Sequence, residues 1–403
     1  GQAQTDKERI EELERKVDLL SKGVERSVIG DVVTEIGEGM FGLGPAASKI
    51  YHAKGGVSIG GYGEAVYTSK DDGPNEADFL RGVLYFGYKY NEKWVFNSEF
   101  EFEHGSTSEE GSASVEFAYL DYLHSPELNF RAGLLLVPVG LINELHEPTS
   151  FLSARRPDVE NRIIPSTWRE NGVGIFGTLN DFIDYKAYLV NGLRGERFSG
   201  KGLRGGRQKG SEAKADDLAG VIRIDLNPNP GLIIGGSAYF GDSGQDIGIG
   251  VGTEIYEAHI DYQAHGWSVR ALGTVANVDD VAELNRFRAA AAASDGMVPA
   301  DSEIDSVGEE LVGWYVEVGY DLLNSVESGE KSITPYVRYE EYNTQEDTPA
   351  GFKTSAKYDV EVITVGVNYK PIDEIVFKAD YQFYDDEADS VSDQFNLSMG
   401  YVF

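Results

Sequence analysis

The chain has 403 residues, of which 35 are Lys or Arg and 68 are Asp or Glu, and it contains no cysteine. The length suggests two or three ordinary domains, and the net charge of −33 argues against nucleic-acid binding. The lack of cysteine excludes disulfides, thiolate metal sites and a cysteine nucleophile. With 48 Gly, 23 Tyr and 19 Phe, the composition is typical of strands and turns. No apolar run reaches about 18 residues, so the sequence offers no transmembrane helix.

Residues 1–24 predict a short coiled-coil helix. Apolar residues recur at alternating intervals of three and four, as at heptad a and d positions: Ile10, Leu13, Val17, Leu20 and Val24. So short a helix is marginal in isolation, and its apolar stripe therefore needs a partner. We expect other copies of the chain to be that partner, and packing against its own domain is the alternative. We interpret residues 25–56 as a Gly-rich linker or plug-like segment.

Residues 57–403 show a hydrophobic period of two. In residues 94–103 the even positions are mostly aromatic and the odd positions mostly carboxylate, which is typical of a strand with one apolar and one polar face. In 112–124 and 357–370 the sequence does not show clearly which alternate positions face inward and which outward, and this ambiguity suggests β-bulges. The sixteen segments of this kind are 57–69, 78–90, 94–104, 112–124, 128–137, 171–179, 182–191, 214–226, 231–240, 252–264, 267–276, 310–322, 332–343, 357–370, 374–384 and 393–403.

The connections between these segments alternate in length. Short gaps such as 125–127 and 180–181 alternate with long gaps such as 138–170 and 277–309. An outer-membrane barrel requires short turns at one end and long loops at the other, and both of its termini lie at the short-turn end. Sixteen strands enclose an aqueous channel. The sequence therefore predicts an all-β fold: a sixteen-stranded antiparallel transmembrane β-barrel over 57–403, in the bacterial outer membrane, with the N-terminal helix in the periplasm.

The last segment ends on an aromatic residue. Apolar side chains occupy every second position up to the C-terminus: Phe395, Leu397, Met399, Tyr401 and Phe403. This pattern resembles the recognition signal for the machinery that inserts barrels into the outer membrane, and we expect that machinery to be a partner through Phe403. An ordinary C-terminal edge strand is the alternative.

Two short motifs stand near the ends of the long gap 138–170. They are Arg131-Ala132-Gly133 followed by Pro138-Val139-Gly140, and Arg169-Glu170-Asn171-Gly172-Val173-Gly174. Together with the heptads and Phe403, they make the chain similar to the trimeric sixteen-stranded porins of Gram-negative outer membranes. It resembles in particular the branch with an N-terminal periplasmic coiled coil, alongside the phosphate-selective porins and their dicarboxylate-transporting relatives. The resemblance implies a homotrimer and a third long loop that folds into the lumen as the constriction.

The third long loop, 138–170, is rich in charge. With Arg131 on the preceding strand, its candidate constriction residues are Arg155, Arg156, Arg162, Arg169, Glu144 and Glu147. If the loop folds inward, arginines and carboxylates facing each other across a narrow water column would select solutes by charge. The alternative is that these groups pair with each other and with the wall, and so fix the loop in place.

Loop 192–213 is the second candidate site. Six cations stand against Glu196 and Glu212, a local net charge of +4 in an acidic protein: Arg194, Arg197, Lys201, Arg204, Arg207 and Lys209. We interpret this loop as an anion funnel. The alternatives are docking onto lipopolysaccharide phosphates and a merely solvated loop.

The sequence therefore predicts a porin for passive diffusion of small hydrophilic solutes, with a slight preference for anionic or zwitterionic ones. Phosphate specificity is not expected, because the barrel wall is mixed in charge and has no dense basic ladder. A structural outer-membrane anchor with an incidental channel is the alternative function. We expect neither enzyme activity, since no Ser/His/acid pattern is recognisable, nor a metal or cofactor. Candidate Ca²⁺ positions, with plain solvation as the alternative, are the acidic long loops at Asp71, Asp72, Glu76, Glu109, Glu110, Asp385, Asp386, Glu387 and Asp389.

Overall fold

The computed structural model describes residues 12–17, 36–107, 111–294, 305–325 and 331–403. Residues 12–17 are helical, and the side chains of Leu13 and Val17 are exposed. Ile10, Leu20 and Val24 lie outside the described residues, so the coiled coil stays a prediction. Within the described part of the chain, no helix is long and apolar enough to cross a membrane.

Sixteen antiparallel strands close into one barrel, in which each strand pairs with its neighbours in the chain and β1 pairs with β16. The closed sixteen-stranded barrel predicted from the sequence is thereby confirmed. The largest boundary differences are four residues: β8 begins at Leu218 rather than 214, and β13 ends at Asp347 rather than 343. The strands are β1 Gly56–Lys70, β2 Glu76–Lys89, β3 Trp94–Glu103, β4 Ser112–Ser125, β5 Leu128–Leu136, β6 Arg169–Leu179, β7 Ile183–Asn191, β8 Leu218–Asn229, β9 Leu232–Asp242, β10 Gly252–Ala264, β11 Trp267–Val278, β12 Glu310–Tyr320, β13 Ser332–Asp347, β14 Asp359–Ile372, β15 Ile375–Asp386 and β16 Gln394–Val402.

The alternation of side chains separates an apolar outside from a charged inside. In β3, Phe100 and Phe102 are exposed on the outer face, whereas Glu99 and Glu101, which alternate with them, are buried in the interior. Successive side chains of a strand point to opposite faces, so the period of two in the sequence becomes this division of the barrel wall. Exposed aromatic and aliphatic side chains recur on the outer face around the barrel, for example at Trp314 on β12 and Phe377 on β15.

A β-bulge explains the ambiguous phase of β4. Glu99 pairs with Phe117 and Phe100 pairs with Val115, which leaves Glu116 as the extra residue. As a result, Glu116 and Phe117 are both buried. One strand therefore carries a break in its alternation that a strict period of two cannot reproduce.

The barrel closes between its first and last strands. The Phe403 amide donates to the Gly61 carbonyl at 2.9 Å, and the Gly61 amide donates to the Phe403 carbonyl at 3.0 Å. The phenyl ring of Phe403 is 48% exposed. Because β1 begins and β16 ends at the same rim, both ends of the barrel wall lie at the short-turn end.

The remaining helices belong to the connections and to the segment before β1. The helices are α1 Lys49–His52, α2 Val159–Arg162 and α3 Val281–Ser294, and the 3₁₀ turns are Pro148–Ser150, Gly195–Arg197, Arg204–Gly206 and Ala356–Tyr358. We call residues 36–55 the N-terminal segment, residues 137–168 the internal loop and residues 192–213 the basic loop.

Candidate functional site in the barrel interior

The internal loop crosses the lumen and is bonded to the far wall. The Arg338 guanidinium on β13 donates to the Ser153 hydroxyl, and the Ala154 amide donates to the Asp380 carboxylate on β15 at 2.6 Å. The Lys378 ammonium donates to the Ser153 carbonyl at 2.9 Å. Charge-assisted hydrogen bonds of this kind are about twice as strong as neutral ones. These bonds hold the internal loop, which begins after β5, against strands on the opposite side of the barrel.

Further bonds attach the same loop to other strands. The Arg223 guanidinium on β8 donates to the Gly140 carbonyl at 2.5 Å, and the Tyr315 hydroxyl on β12 donates to Glu160 at 2.7 Å. Trp168, at the end of the loop, has no exposed surface. These bonds therefore fix the internal loop inside the barrel, where it divides the lumen into two halves.

The N-terminal segment also lies inside the barrel, at the short-turn end. The Tyr51 hydroxyl donates to the Asp121 carboxylate at 2.7 Å and accepts from Arg131 at 3.1 Å. The Asn97 amide donates to the Ala47 carbonyl at 2.9 Å. The sequence left open whether this region is a linker or plug-like, and its described part packs against the inner faces of β3, β4 and β5.

The basic loop folds inward at the long-loop end and lies on the internal loop. The Arg204 guanidinium donates to the Ser166 carbonyl at 2.7 Å, and the Arg207 guanidinium donates to the Thr167 carbonyl. On the far wall, the Thr344 hydroxyl of β13 donates to the Gly200 carbonyl of the basic loop at 2.5 Å. The two loops together narrow this end of the lumen.

Three adjoining cavities lie between these loops and the wall, and Arg204 lines all three. The first, of about 850 Å³, has carboxylates of β3 and β4 on one side and cations of the basic loop and β6 on the other. Besides His104, its ionisable lining residues are Glu101, Glu103, Glu116, Arg169, Arg204, Arg207 and Lys209. Opposite charges facing each other across water produce a transverse field, which acts on ions and on dipolar solutes.

The second cavity, of about 410 Å³, lies beside β1 and β2. Arg155 and Arg156 of the internal loop line it together with Glu64 and Glu103 of the wall. The Arg155 guanidinium donates to the Thr68 hydroxyl at 2.8 Å, which holds it against β1. The same opposition of loop cations and wall carboxylates therefore continues from the first cavity.

The third cavity, of about 660 Å³, is basic. Among the described residues it is lined by six cations and no carboxylate: Arg162, Arg197, Lys201, Arg204, Arg207 and Lys209. Burial, followed by the neighbouring charges of Arg204 and Arg169, lowers the pKa of Arg207 to about 9. Like charges this close oppose further protonation, so the cluster favours an anion as its counter-charge.

A fourth cavity, of about 680 Å³, lies on the other side of the internal loop, toward the short-turn end. It is bounded by residues 39–45 of the N-terminal segment, by the internal loop and by wall strands from β6 onward. Its charged residues are mixed in sign: Glu144, Asp184, Lys186, Arg223, Asp225, Asp261, Arg270, Lys370 and Asp373. Water-accessible space thus exists on both sides of the internal loop.

The structure separates the predicted constriction residues into three groups. Those lining the cavities of the long-loop end are Arg155, Arg156, Arg162 and Arg169. Glu144 lies on the other side of the loop, 2.5 Å from the Lys186 ammonium. Arg131 and Glu147 contact the N-terminal segment and line none of these cavities. Of the basic loop, Arg194 pairs with Glu196, whereas its other five predicted cations line the basic cavity.

Glu116 is the lining residue that sequence reasoning missed. Its carboxylate lies 2.6 Å from the Arg169 guanidinium. The bulge in β4 moves Glu116 into the interior, and the ambiguous phase of this segment was the signal that pointed to it.

Comparison with known proteins places the chain in a family. It is 39% identical over 360 residues to an uncharacterised protein of Aquifex aeolicus (strain VF5), which covers 87% of this chain and 81% of that protein. The chain belongs to the family of this Aquifex protein. No protein-family model matches the chain.

Several solved structures share the fold of this chain. OmpF of Salmonella typhi, in a complex with daunomycin, matches with a TM-score of 0.59 and 12% identity, over 88% of this chain and 99% of that chain. The trimer form of Vibrio cholerae OmpT matches with a TM-score of 0.52 and 12% identity, over 87% and 100%. An anion-selective porin from Comamonas acidovorans matches with a TM-score of 0.51 and 9% identity, over 86% and 99%. The chain therefore has the barrel fold of outer-membrane porins.

Proposed function

We propose that the protein is an outer-membrane porin, a water-filled channel for passive diffusion of small hydrophilic solutes. The observation that carries this proposal is the closed barrel whose interior has charged cavities on both sides of an inward-folded loop. A soluble barrel would not expose large apolar side chains around its outer wall, because contiguous apolar patches of that extent are rare on soluble monomers. In a bilayer this face contacts the hydrocarbon layer.

The orientation follows from the barrel ends. In bacterial outer-membrane barrels the short turns face the periplasm and the longer loops face outside. The N-terminal helix then lies in the periplasm, and the basic loop lies at the outer mouth. Lipid and lipopolysaccharide would surround the wall, and recognition of Phe403 by the insertion machinery remains part of the proposal.

We propose that the internal loop is the constriction and that the basic loop is an anion funnel. Solutes from outside would meet the basic cavity and the adjoining field between cations of the basic loop and the Glu101, Glu103 and Glu116 carboxylates. The basic cavity supports a slight preference for anionic or zwitterionic solutes, although the wall carboxylates oppose it. The anion selectivity of the Comamonas porin supports the same direction only by analogy of fold.

We propose a homotrimer, supported by the heptad pattern of residues 10–24 and by the trimer form of the structurally similar OmpT. Three copies would bring three N-terminal helices together on the periplasmic side, where a short coiled coil could clamp the assembly. Cross-linking of the detergent-extracted protein would test this directly, with a ladder that ends at three subunits as the expected result.

Liposome swelling tests the channel against the anchor function. Purified barrels are reconstituted into vesicles, which are then diluted into isotonic solutions of neutral sugars of increasing size. We expect rapid swelling with small sugars and a sharp decline with larger ones. An anchor without a usable channel would give swelling no faster than that of protein-free vesicles, while the heat-modifiable mobility of a folded barrel persists on gels.

A further inference from the structure

The N-terminal segment is a small folded unit inside the lumen. Bonds between backbone groups fold the segment on itself: the Ser48 amide donates to Gly44, the Tyr51 amide to Ser48 and the Ala53 amide to Ile50, at 3.0 to 3.2 Å. Among its described residues, the segment adds no strand to the wall. Side chains of the wall and of the internal loop bond its remaining backbone groups and hold it in place.

The fit between the segment and its surroundings is close. A Cβ built on Gly87 of β2 would lie 2.6 Å from the Ile50 Cβ, and one built on Gly44 would collide with the Glu147 carboxylate. Ile50 is 1% exposed. Glycine at both positions thus allows the segment to lie directly between the wall and the internal loop.

The wall groups that hold the segment have second partners on the wall itself. Asp121 and Arg131 are joined by two bonds of 2.8 and 2.9 Å, independently of the Tyr51 hydroxyl. The Lys89 ammonium, which donates to the Ala53 carbonyl at 2.7 Å, also lies 3.8 Å from Glu92. Departure of the segment would therefore leave these wall charges with a partner, so that the cost of release is mainly the exposure of buried apolar side chains such as Leu43 and Ile50.

Glu147 joins the segment to the constriction. Its carboxylate accepts from the Ala47 amide at 3.0 Å, across the boundary between the segment and the internal loop. Burial raises the pKa of Glu147 to about 7, despite the amides of Ala47 and Ala46. The titratable side chains facing it from the loop and the wall are His146, Glu99 and Tyr85.

We propose that the N-terminal segment is a releasable plug that narrows the periplasmic half of the channel. Residues 39–45 already bound the cavity at this end, so release would join that cavity to the space along β2 to β5 that the segment fills. The plug is coupled to the constriction through Glu147. In the sequence it follows the predicted periplasmic helix. This proposal rests on the channel function proposed above and adds a means of regulating it.

Two opposite variants test the plug in the full-length chain. Ile50→Asp places a charge against the wall at Gly87 and should release the segment. Single-channel conductance should then rise, because a helical turn about 10 Å wide with its side chains would leave the lumen. His52→Asp adds the same charge on the exposed face of α1 and is the matched control, with conductance unchanged. Ile50→Cys/Gly87→Cys locks the segment, since the chain has no other cysteine and these Cβ atoms are close enough to bridge after a small shift.

The locked variant keeps the test independent of folding defects in Ile50→Asp. We expect its oxidised form to show a single low conductance and its reduced form to gain transitions to the higher level. Equal conductance of the wild type, the oxidised lock and Ile50→Asp would overturn the plug and leave the porin intact. No conductance from any form, with folded barrels on gels, would instead contradict the channel function itself.

Discussion

Removing charge from the basic cavity should change the ion selectivity of the channel. Lys201 and Lys209 are exposed, line this cavity and lie in the basic loop outside the barrel wall. The double variant Lys201→Gln/Lys209→Gln removes two charges and keeps side chains of similar length. Because neither ammonium group fixes the internal loop to the wall, we expect the fold to be retained.

The size of the effect follows from Coulomb's law. At a separation of about 6 Å in water, a lysine changes the energy of a passing monovalent ion by about 0.7 kcal/mol, and screening at 0.1 M salt reduces this to about 0.4 kcal/mol. Two lysines contribute about 0.8 kcal/mol, so their removal should lower the local anion concentration about fourfold and raise that of cations by a similar factor.

The reversal potential of a reconstituted channel under a KCl gradient measures this change. It should shift toward the cation side, and the shift should shrink as the salt concentration rises, because screening weakens the interaction. Lys93→Gln/Lys353→Gln is the matched control, since both lysines are exposed and neither lines the described cavities. An unchanged reversal potential in Lys201→Gln/Lys209→Gln, or an equal shift in the control, would refute the funnel.

Further predictions concern the attachment of the loop, its pH response, membrane insertion and the oligomer. Arg338→Met removes the ion-pair partner of the buried Glu317 and Glu340 carboxylates and should destabilise the barrel by about 3 kcal/mol, seen as a lower midpoint of the heat-induced gel shift, and an unchanged midpoint would contradict this. Burial, to which the plug contributes by packing Gly44 against the Glu147 carboxylate, raises the pKa of Glu147 to about 7, although the Ala47 and Ala46 amides lower it. If the burial contributed by the plug outweighs its two amides, the docked state binds the extra proton, and docking should be strongest in acid and weaken as the pH rises through about 7. Conductance should therefore increase from pH 5 to pH 9, and this increase should disappear in Glu147→Gln. Phe403→Ala should reduce the yield in the outer membrane several-fold without impairing refolding in detergent; equal yields would exclude an insertion signal. Leu13→Asp should lower the trimer fraction in cross-linking, and an unaltered fraction would remove the coiled coil from the assembly.

The strands could be predicted because each carries its own signal. A strand with one lipid-facing and one water-facing side must alternate along its whole length, and turn residues mark where it stops. β8 shows the limit of this reasoning. Its predicted start, residue 214, instead lies just after the basic loop, and the Lys214 amide donates to the Gln208 side chain of that loop at 2.7 Å. The alternation of apolar and polar residues does not reveal where such a bond within the loop replaces the pairing between strands.

The site was less accessible to sequence reasoning, because its geometry depends on residues far apart in the chain. Ala47 and Glu147 are separated by 100 positions, and Arg338 and Ser153 by 185. Neither pair has a spacing that sequence alone could identify. The charge of loops 138–170 and 192–213 did indicate where the charged cavities would lie. It could not show that Glu147 and Arg131 contact the N-terminal segment, since residues 36–55 have no period.

Single-channel recording in a planar lipid bilayer tests the proposed porin most directly. The purified full-length protein is added at low concentration in 1 M KCl, and individual insertion events are recorded. We predict large, stable conductance steps that occur in groups of three, as expected of a trimer of water-filled barrels. Folded, heat-modifiable protein that inserts without any conductance, even in Ile50→Asp, would contradict the conclusion that this barrel is a diffusion channel.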